Sequence, residues 1–176
     1  MTRHFRTLLD LDRATLETLL DRSAELRRLR GTAEHPRPLA GKSIAVIFDK
    51  PSTRTRISFE VGIAELGAHP LIILAKDTQM GRGEPLEDTA RMLSRYCHAA
   101  VYRTFGQERI DGLAEVATIP IVNALTDQHH PCQLLADLLA VQDAHGKDWS
   151  RVTVAWVGDG NNMANSWIHA AAILGF

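Results

Sequence analysis

The sequence has 176 residues, 45% of them hydrophobic, with 20 Lys and Arg against 21 Asp and Glu, a formal net charge of −1. At roughly 150 residues per domain that length allows one full domain and part of another. Near-neutral charge with no Lys/Arg stripe excludes a recruiting field for nucleic acid, and no apolar run approaches the length that spans a bilayer.

Met1 to Leu11 is too charged and too poor in apolar residues for a signal peptide. Cys97 and Cys132 lie far apart, with no Cys-x-x-Cys and no paired His spacing. They read as two reduced thiols in a cytoplasmic protein, with no zinc site and no disulfide framework.

Asp12 is placed to cap a helix running to about Arg30, in which Leu16, Leu19, Leu20 and Ala24 recur at helical spacing. Gly31 to Gly41, with Pro36 and Pro38, is a connector. Ser43 to Phe48 follows as a short, nearly all apolar strand, of the kind buried on both faces of a parallel sheet. It stops at a polar turn, and a helical pattern begins at once with Ser52, Thr53, Arg54, Thr55 and Arg56.

A helix that starts behind a buried strand points free backbone N–H groups outward, a layout suited to an anion. Three hydroxyls and two guanidiniums surround it. Ser and Thr are also ordinary helix caps, but two arginines near the positive end of a helix dipole are unfavourable unless an anion is supplied. The stretch therefore reads as a phosphate cradle. Its helix carries Ile57, Val61 and Ala64 on one face, with Phe59, Ile63 and Leu66 close by, and stops at Gly67.

A second strand spans Pro70 to Leu74, and a polar loop runs from Ala75 to Glu84. Pro85 opens a helix reaching about Tyr96. Ala99 to Tyr102 is a third strand, delivering Arg103 at its carboxyl end. A helix from about Glu108 to Ala117 leads to a fourth strand, Pro120 to Ala124. The loop Leu125 to His130 precedes Pro131, which starts a helix running towards His145.

Alternation at this spacing predicts an α/β fold, a four-stranded parallel sheet flanked by helices. Ligands of such sheets lie at the carboxyl ends of the strands. Those ends present Ser52 to Thr55, Arg103 and the loop carrying His130.

Gly146 to Ser150 reads as a boundary. Val152 to Val157 is predicted to begin another strand, Gly158 to Asn162 its loop, and Met163 to Leu174 a helix. These give a domain over residues 1–147 and, over 148–176, the first strand–helix unit of a second α/β domain that is cut short. One strand and one helix cannot bury both faces of a sheet.

Asp49-Lys50-Pro51-Ser52-Thr53-Arg54-Thr55-Arg56 resembles the carbamoyl-phosphate motif of the aspartate/ornithine carbamoyltransferases, specifically the ornithine branch. Further matches follow in the same order: Gln79 in Asp-Thr-Gln-Met-Gly-Arg-Gly-Glu, Arg103 in Tyr-Arg-Thr-Phe, His130-Pro131-Cys132-Gln133, and Gly158-Asp159-Gly160-Asn161-Asn162-Met163. The likeness covers the whole chain. An aspartate-specific member is expected to lack the Lys50-Pro51 and Asn161-Asn162-Met163 pattern.

The resemblance implies transfer of a carbamoyl group from carbamoyl phosphate to the δ-amine of L-ornithine, giving L-citrulline and phosphate. It implies no metal and no organic cofactor, and a homotrimer with sites between subunits. Carried over position by position, Ser52, Thr53, Arg54 and Thr55 would hold the phosphate, and Arg103 would touch both phosphate and carbonyl oxygen. Thr55 and His130 would complete the polarising group, Gln133 would orient the carbamoyl NH₂, and Gln79 would be lent by a neighbouring subunit. Asn162, with Asn161 second, would bind the ornithine α-amino acid group. Arg56 would hold the loop through an acidic partner.

Without the family, several of these have plainer readings. His130 before Pro131 is a cap or a packed side chain, Cys132 a packing residue, Asn161 and Asn162 turn formers, and Gln79 a loop residue. Other family elements on the ornithine side are expected beyond Phe176, so a fragment ending there should turn over little. Putrescine or acylated ornithine as acceptor, and a non-catalytic interaction module, are the alternatives. A dinucleotide-binding module fails because Met163 stands where the third small residue belongs.

Overall fold

Ile44 to Phe48 is buried along its whole length, which only a central strand of a covered sheet achieves. The computed structural model describes residues 2–176. Its main elements, which alternate as predicted as far as α5, are α1 (Arg13–Leu29), β1 (Ser43–Phe48), α2 (Thr53–Glu65), β2 (His69–Leu74), α3 (Leu86–Tyr96), β3 (Ala99–Arg103), α4 (Gln107–Val116), β4 (Ile121–Leu125), α5 (Pro131–His145) and α6 (Asn162–Leu174). The loop after β2 contains two short 3-10 turns, Ala75–Asp77 and Gln79–Arg82.

The four strands form one parallel sheet in the order β2-β1-β3-β4. The chain moves from β1 out to β2, then crosses back over β1 to β3. Connections therefore leave β1 and β3 in opposite directions, and the crevice opens between their carboxyl ends.

Strand alternation divides the core. On one face Ala45, Ile47, Ala100 and Tyr102 pack with Ala90 and Leu93 of α3 and Ile110 and Leu113 of α4. On the other, Val46, Phe48, Val101 and Ala124 pack with Ile63 of α2. Beyond that face, Leu16 and Leu20 of α1, Leu134 and Leu138 of α5 and Ala170 and Leu174 of α6 close around Leu8 and Trp149. Each fully buried side chain of this size stabilises the fold by about 1.5–3 kcal/mol.

Three features depart from the sequence reading. No strand forms over 152–157: among the described residues no strand lies beside it, and an unpaired segment has no ladder to complete. The helix that follows, α6, instead docks onto α1 and α5. The Ile57 and Val61 stripe of α2 is 56% and 40% exposed, and the helix buries Ile63 instead. Finally, the N-terminal segment forms a parallel bridge between Phe5 and Val122, with Phe5 N–H donating to Ile121 O at 2.8 Å and Asn123 N–H to Phe5 O at 2.8 Å.

Gly67 ends α2 as the apolar pattern implied. Its φ of +94° favours glycine, and a Cβ there would stand 3.0 Å from the Arg37 Cβ.

Candidate functional site

The turn between β1 and α2 puts Ser52 at the N-cap in an extended conformation, yet its hydroxyl makes no capping bond. The first-turn N–H groups of a helix have no partner within it, and no acidic residue occupies this first turn. Thr53, Arg54 and Thr55 follow directly. The junction is thus rich in donors and lacks an acceptor.

Lys50 fastens the turn to neighbouring segments. Its Nζ pairs with Asp127 Oδ1 at 2.5 Å and lies 4.2 Å from the centre of the Phe105 ring.

Arg103 enters from the end of β3, its Nη1 donating to Thr55 Oγ1 at 2.9 Å. Its Nε is buried without a partner. Burial, and after it the charge of Arg54, pull this guanidinium below the usual arginine pKa. Two cations share one hollow, and the charge of Arg54 makes that of Arg103 costlier.

His130 caps α5, where its backbone N–H donates to Ser166 Oγ at 2.9 Å. Its Nδ1 is also buried without a partner. Burial, then the charge of Arg103, lowers its pKa to about 4, so the ring is neutral at pH 7. The loop before it is held from several sides. Thr126 Oγ1 donates to Gln107 Oε1 at 2.8 Å, and from α6 Asn162 Nδ2 donates to Thr126 O at 2.9 Å and Asn165 Nδ2 to Gln128 O at 3.0 Å.

Ser52, Thr53, Arg54, Thr55, Arg103, His130 and Gln133 all line one open cavity of about 810 Å³. Residues from three strand ends and the start of α5 converge there as the sequence led one to expect. Gln133 lies at the rim, with its amide donating to Asp137 Oδ1 at 2.9 Å.

Other candidates lie elsewhere. Gln79 sits in the 3-10 turn Gln79–Arg82, outside the cavity lining. Asn161 caps α6, accepting from Met163 N at 2.9 Å and Ala164 N at 3.2 Å. Asn162 ties down the His130 loop, and neither asparagine lines the cavity. The acidic partner of Arg56 is Glu60, 3.4 Å away on its own helix rather than on the loop. Cys132 does line the cavity, but its thiol donates to Asn123 O at 3.4 Å and burial pushes its pKa up to about 12, which makes it inert as a nucleophile. His129 stacks on His169, ring centres 4.7 Å apart.

The profile described as aspartate/ornithine carbamoyltransferase, carbamoyl-P binding domain, matches residues 3–143. The chain belongs to this carbamoyltransferase family. The matched stretch contains the cradle, Gln79, Arg103, His130 and Gln133, while Asn161 and Asn162 fall outside it.

Among relatives, the ornithine carbamoyltransferase of Pelobacter propionicus is 54% identical over all of this chain and 57% of its own length, and that of Geobacter metallireducens 52% identical over all of this chain and 58% of its own. A crystal structure of ornithine carbamoyltransferase from Burkholderia thailandensis superposes with a TM-score of 0.93 at 44% identity, covering 99% of this chain and 60% of the other. The enzyme from Pyrococcus furiosus gives 0.91 at 42% identity, covering 98% and 55%. The chain thus spans a little over half the length of the carbamoyltransferases it matches.

Sequence reasoning missed the side chains that hold the carbamoyltransferase cavity in shape. Asp49, Tyr102, Thr104 and Arg109 form a partly buried network behind Arg103, and Ser166 anchors His130. An Asp closing an apolar strand was the only signal of the first. Nothing in the order of residues pointed to the second.

Proposed function

We propose that this chain is the carbamoyl-phosphate-binding part of an ornithine carbamoyltransferase, which transfers the carbamoyl group to the δ-amine of L-ornithine. The observation that carries the reading is the single cavity in which the uncapped helix start, Arg54, Arg103 and His130 meet with donors still unpartnered. The names of the relatives support ornithine as acceptor.

In this reading the phosphate rests on Ser52, Thr53, Arg54 and Thr55, with Arg54 and Arg103 countering its charge. The amine nitrogen forms a bond to the carbamoyl carbon and the carbon–oxygen bond to phosphate breaks. The proton lost by the nitrogen leaves with the phosphate. Charge grows on the carbonyl oxygen as the bond forms, and fixed donors aimed there lower the barrier. Thr55 accepts from Arg103, which leaves its own O–H free to donate. His130, neutral, donates one N–H without adding a charge, and Gln133 orients the carbamoyl NH₂.

Asn162 and Asn161 are proposed for the ornithine side, Asn162 by exchanging its bond to the Thr126 carbonyl for the substrate. Gln79 is assigned to the site of a neighbouring subunit in a homotrimer, supported by its position away from this chain's own cavity. We take residues 1–147 as the carbamoyl-phosphate domain and 148–176 as the start of the ornithine domain, a division supported by the profile match ending at residue 143. Arginine biosynthesis in the cytoplasm is the proposed setting, and the free thiols of Cys97 and Cys132 suit a reducing compartment.

The test is Arg54→Ala, with carbamoyl phosphate affinity read by calorimetry. Removing a charge-assisted bond of about 1.5–3 kcal/mol predicts about a ten- to hundredfold weaker dissociation constant. Unchanged affinity would overturn the cradle.

A further inference from the structure

Arg103 stands where the β3–β4 ladder loses its register: Tyr102 pairs with Asn123, but Arg103 with Leu125. Ladder bonds alone give weaker control of direction at such an irregularity. Alternation along the strand sends Tyr102 and Thr104 to the side away from the Arg103 guanidinium, and both are fully buried.

A single carboxylate gathers them. Asp49 Oδ2 accepts from Tyr102 Oη at 2.6 Å, from Thr104 Oγ1, and from Arg109 Nε at 3.2 Å. Arg109, reaching in from α4, also donates through Nε to Thr104 Oγ1 at 2.9 Å and through Nη2 to Tyr102 Oη at 3.0 Å. The Asp49 backbone N–H donates to the Arg103 carbonyl at 2.9 Å. The residues flanking Arg103, and its own peptide, are therefore all gripped by one acid from the end of β1 and one base from α4.

The Asp49–Arg109 pair, with its carboxylate buried and its guanidinium side chain 37% exposed, is a weak source of stability, because desolvating the acid and screening the exposed charge offset much of the attraction. Its distinct effect is geometric. We propose that Asp49 and Arg109 are positioning residues for Arg103: by clamping Tyr102 and Thr104 on the closed side of β3, they set the direction in which the guanidinium enters the anion cavity. The inference rests on the reading of Arg103 as the group that meets phosphate and carbonyl oxygen.

The experiment is a double-mutant cycle in the full chain, with Arg109→Met and Arg103→Met singly and together. It is read by the affinities for inorganic phosphate and for carbamoyl phosphate in calorimetry. A misdirected guanidinium predicts a loss of about ten- to hundredfold in carbamoyl phosphate affinity for Arg109→Met. On the Arg103→Met background the second substitution should add less than about twofold to either readout. Arg109→Lys, which returns the charge without the fork, should recover part of the loss.

Effects that multiply in full would overturn the proposal, because a merely structural Arg109 acts independently of Arg103. A lowered melting temperature with unchanged affinity for both anions would also overturn it. Should Arg109→Met fail to fold, Tyr102→Phe and Thr104→Val cut the two links one at a time and enter the same cycle. If the unaltered protein binds inorganic phosphate but not carbamoyl phosphate, the functional reading falls, and the phosphate arm still decides whether Arg109 acts through Arg103.

Discussion

His130 keeps its proton off at neutral pH because burial and the Arg103 charge both penalise the imidazolium. His129 and His169 are lowered in the same direction, foremost by burial. In each the folded pKa lies below the unfolded one near 6.5, so between that value and the folded pKa the unfolded chain binds more protons. Their stabilisation is complete above about pH 6.5 and declines as pH falls towards about 4 for His130. Denaturant midpoints should therefore drop between pH 7 and pH 5, and His130→Gln should shrink that drop; an equal drop in the variant would contradict the assignment. The type and position of His130 were legible in the sequence, because a motif specifies residues. Its neutrality was not, since that depends on a cavity wall assembled from three strands. Asn162 makes the same point in reverse: in this structure its amide bonds the Thr126 carbonyl, a partner 36 positions away.

At the scale of elements, periodicity worked where one face of a helix had a single job. Leu16 and Leu20 of α1 are buried as their spacing implied, and Leu134 and Leu138, four apart on α5, are buried with them. It misled in α2, whose apolar stripe of Ile57 and Val61 faces outward while Ile63 anchors the helix. The segment 152–157 has the composition of a strand, but strand formation is decided by a neighbour and not by the segment alone. The helix after it supports the site directly, because α6 places Asn162, Asn165 and Ser166 against the loop that carries His130. Ser166→Ala would leave the partly buried His130 N–H without its protein partner, a loss of about 1 kcal/mol in unfolding free energy. It should also weaken carbamoyl phosphate binding, measured alongside. A variant as stable and as tight-binding as the parent would remove α6 from the site's support.

Over the whole molecule, the sheet order β2-β1-β3-β4 does the work of assembly. It sets β1 beside β3, so Ser52 to Thr55 and Arg103 end up side by side although a strand, two helices and three connecting segments separate them in sequence. The parallel sheet and its rim of strand ends could be read from the alternation of elements. The bridge from Phe5 to Val122 could not, because a single paired residue leaves no pattern. That bridge covers part of the outer edge of β4, and open edges promote association. Removal of residues 2–6 should raise light scattering at high protein concentration and speed amide exchange at Asn123, whose N–H then loses its acceptor; unchanged scattering and exchange would argue that the segment protects nothing.

The same bridge constrains the order of events during synthesis. Phe5 leaves the ribosome early but has nothing to pair with until residues 121–123 have followed it. The nascent sheet therefore waits with one flank bare until its fourth strand is in place, and it is in that interval, rather than in the finished molecule, that the chain most needs to be kept from its neighbours.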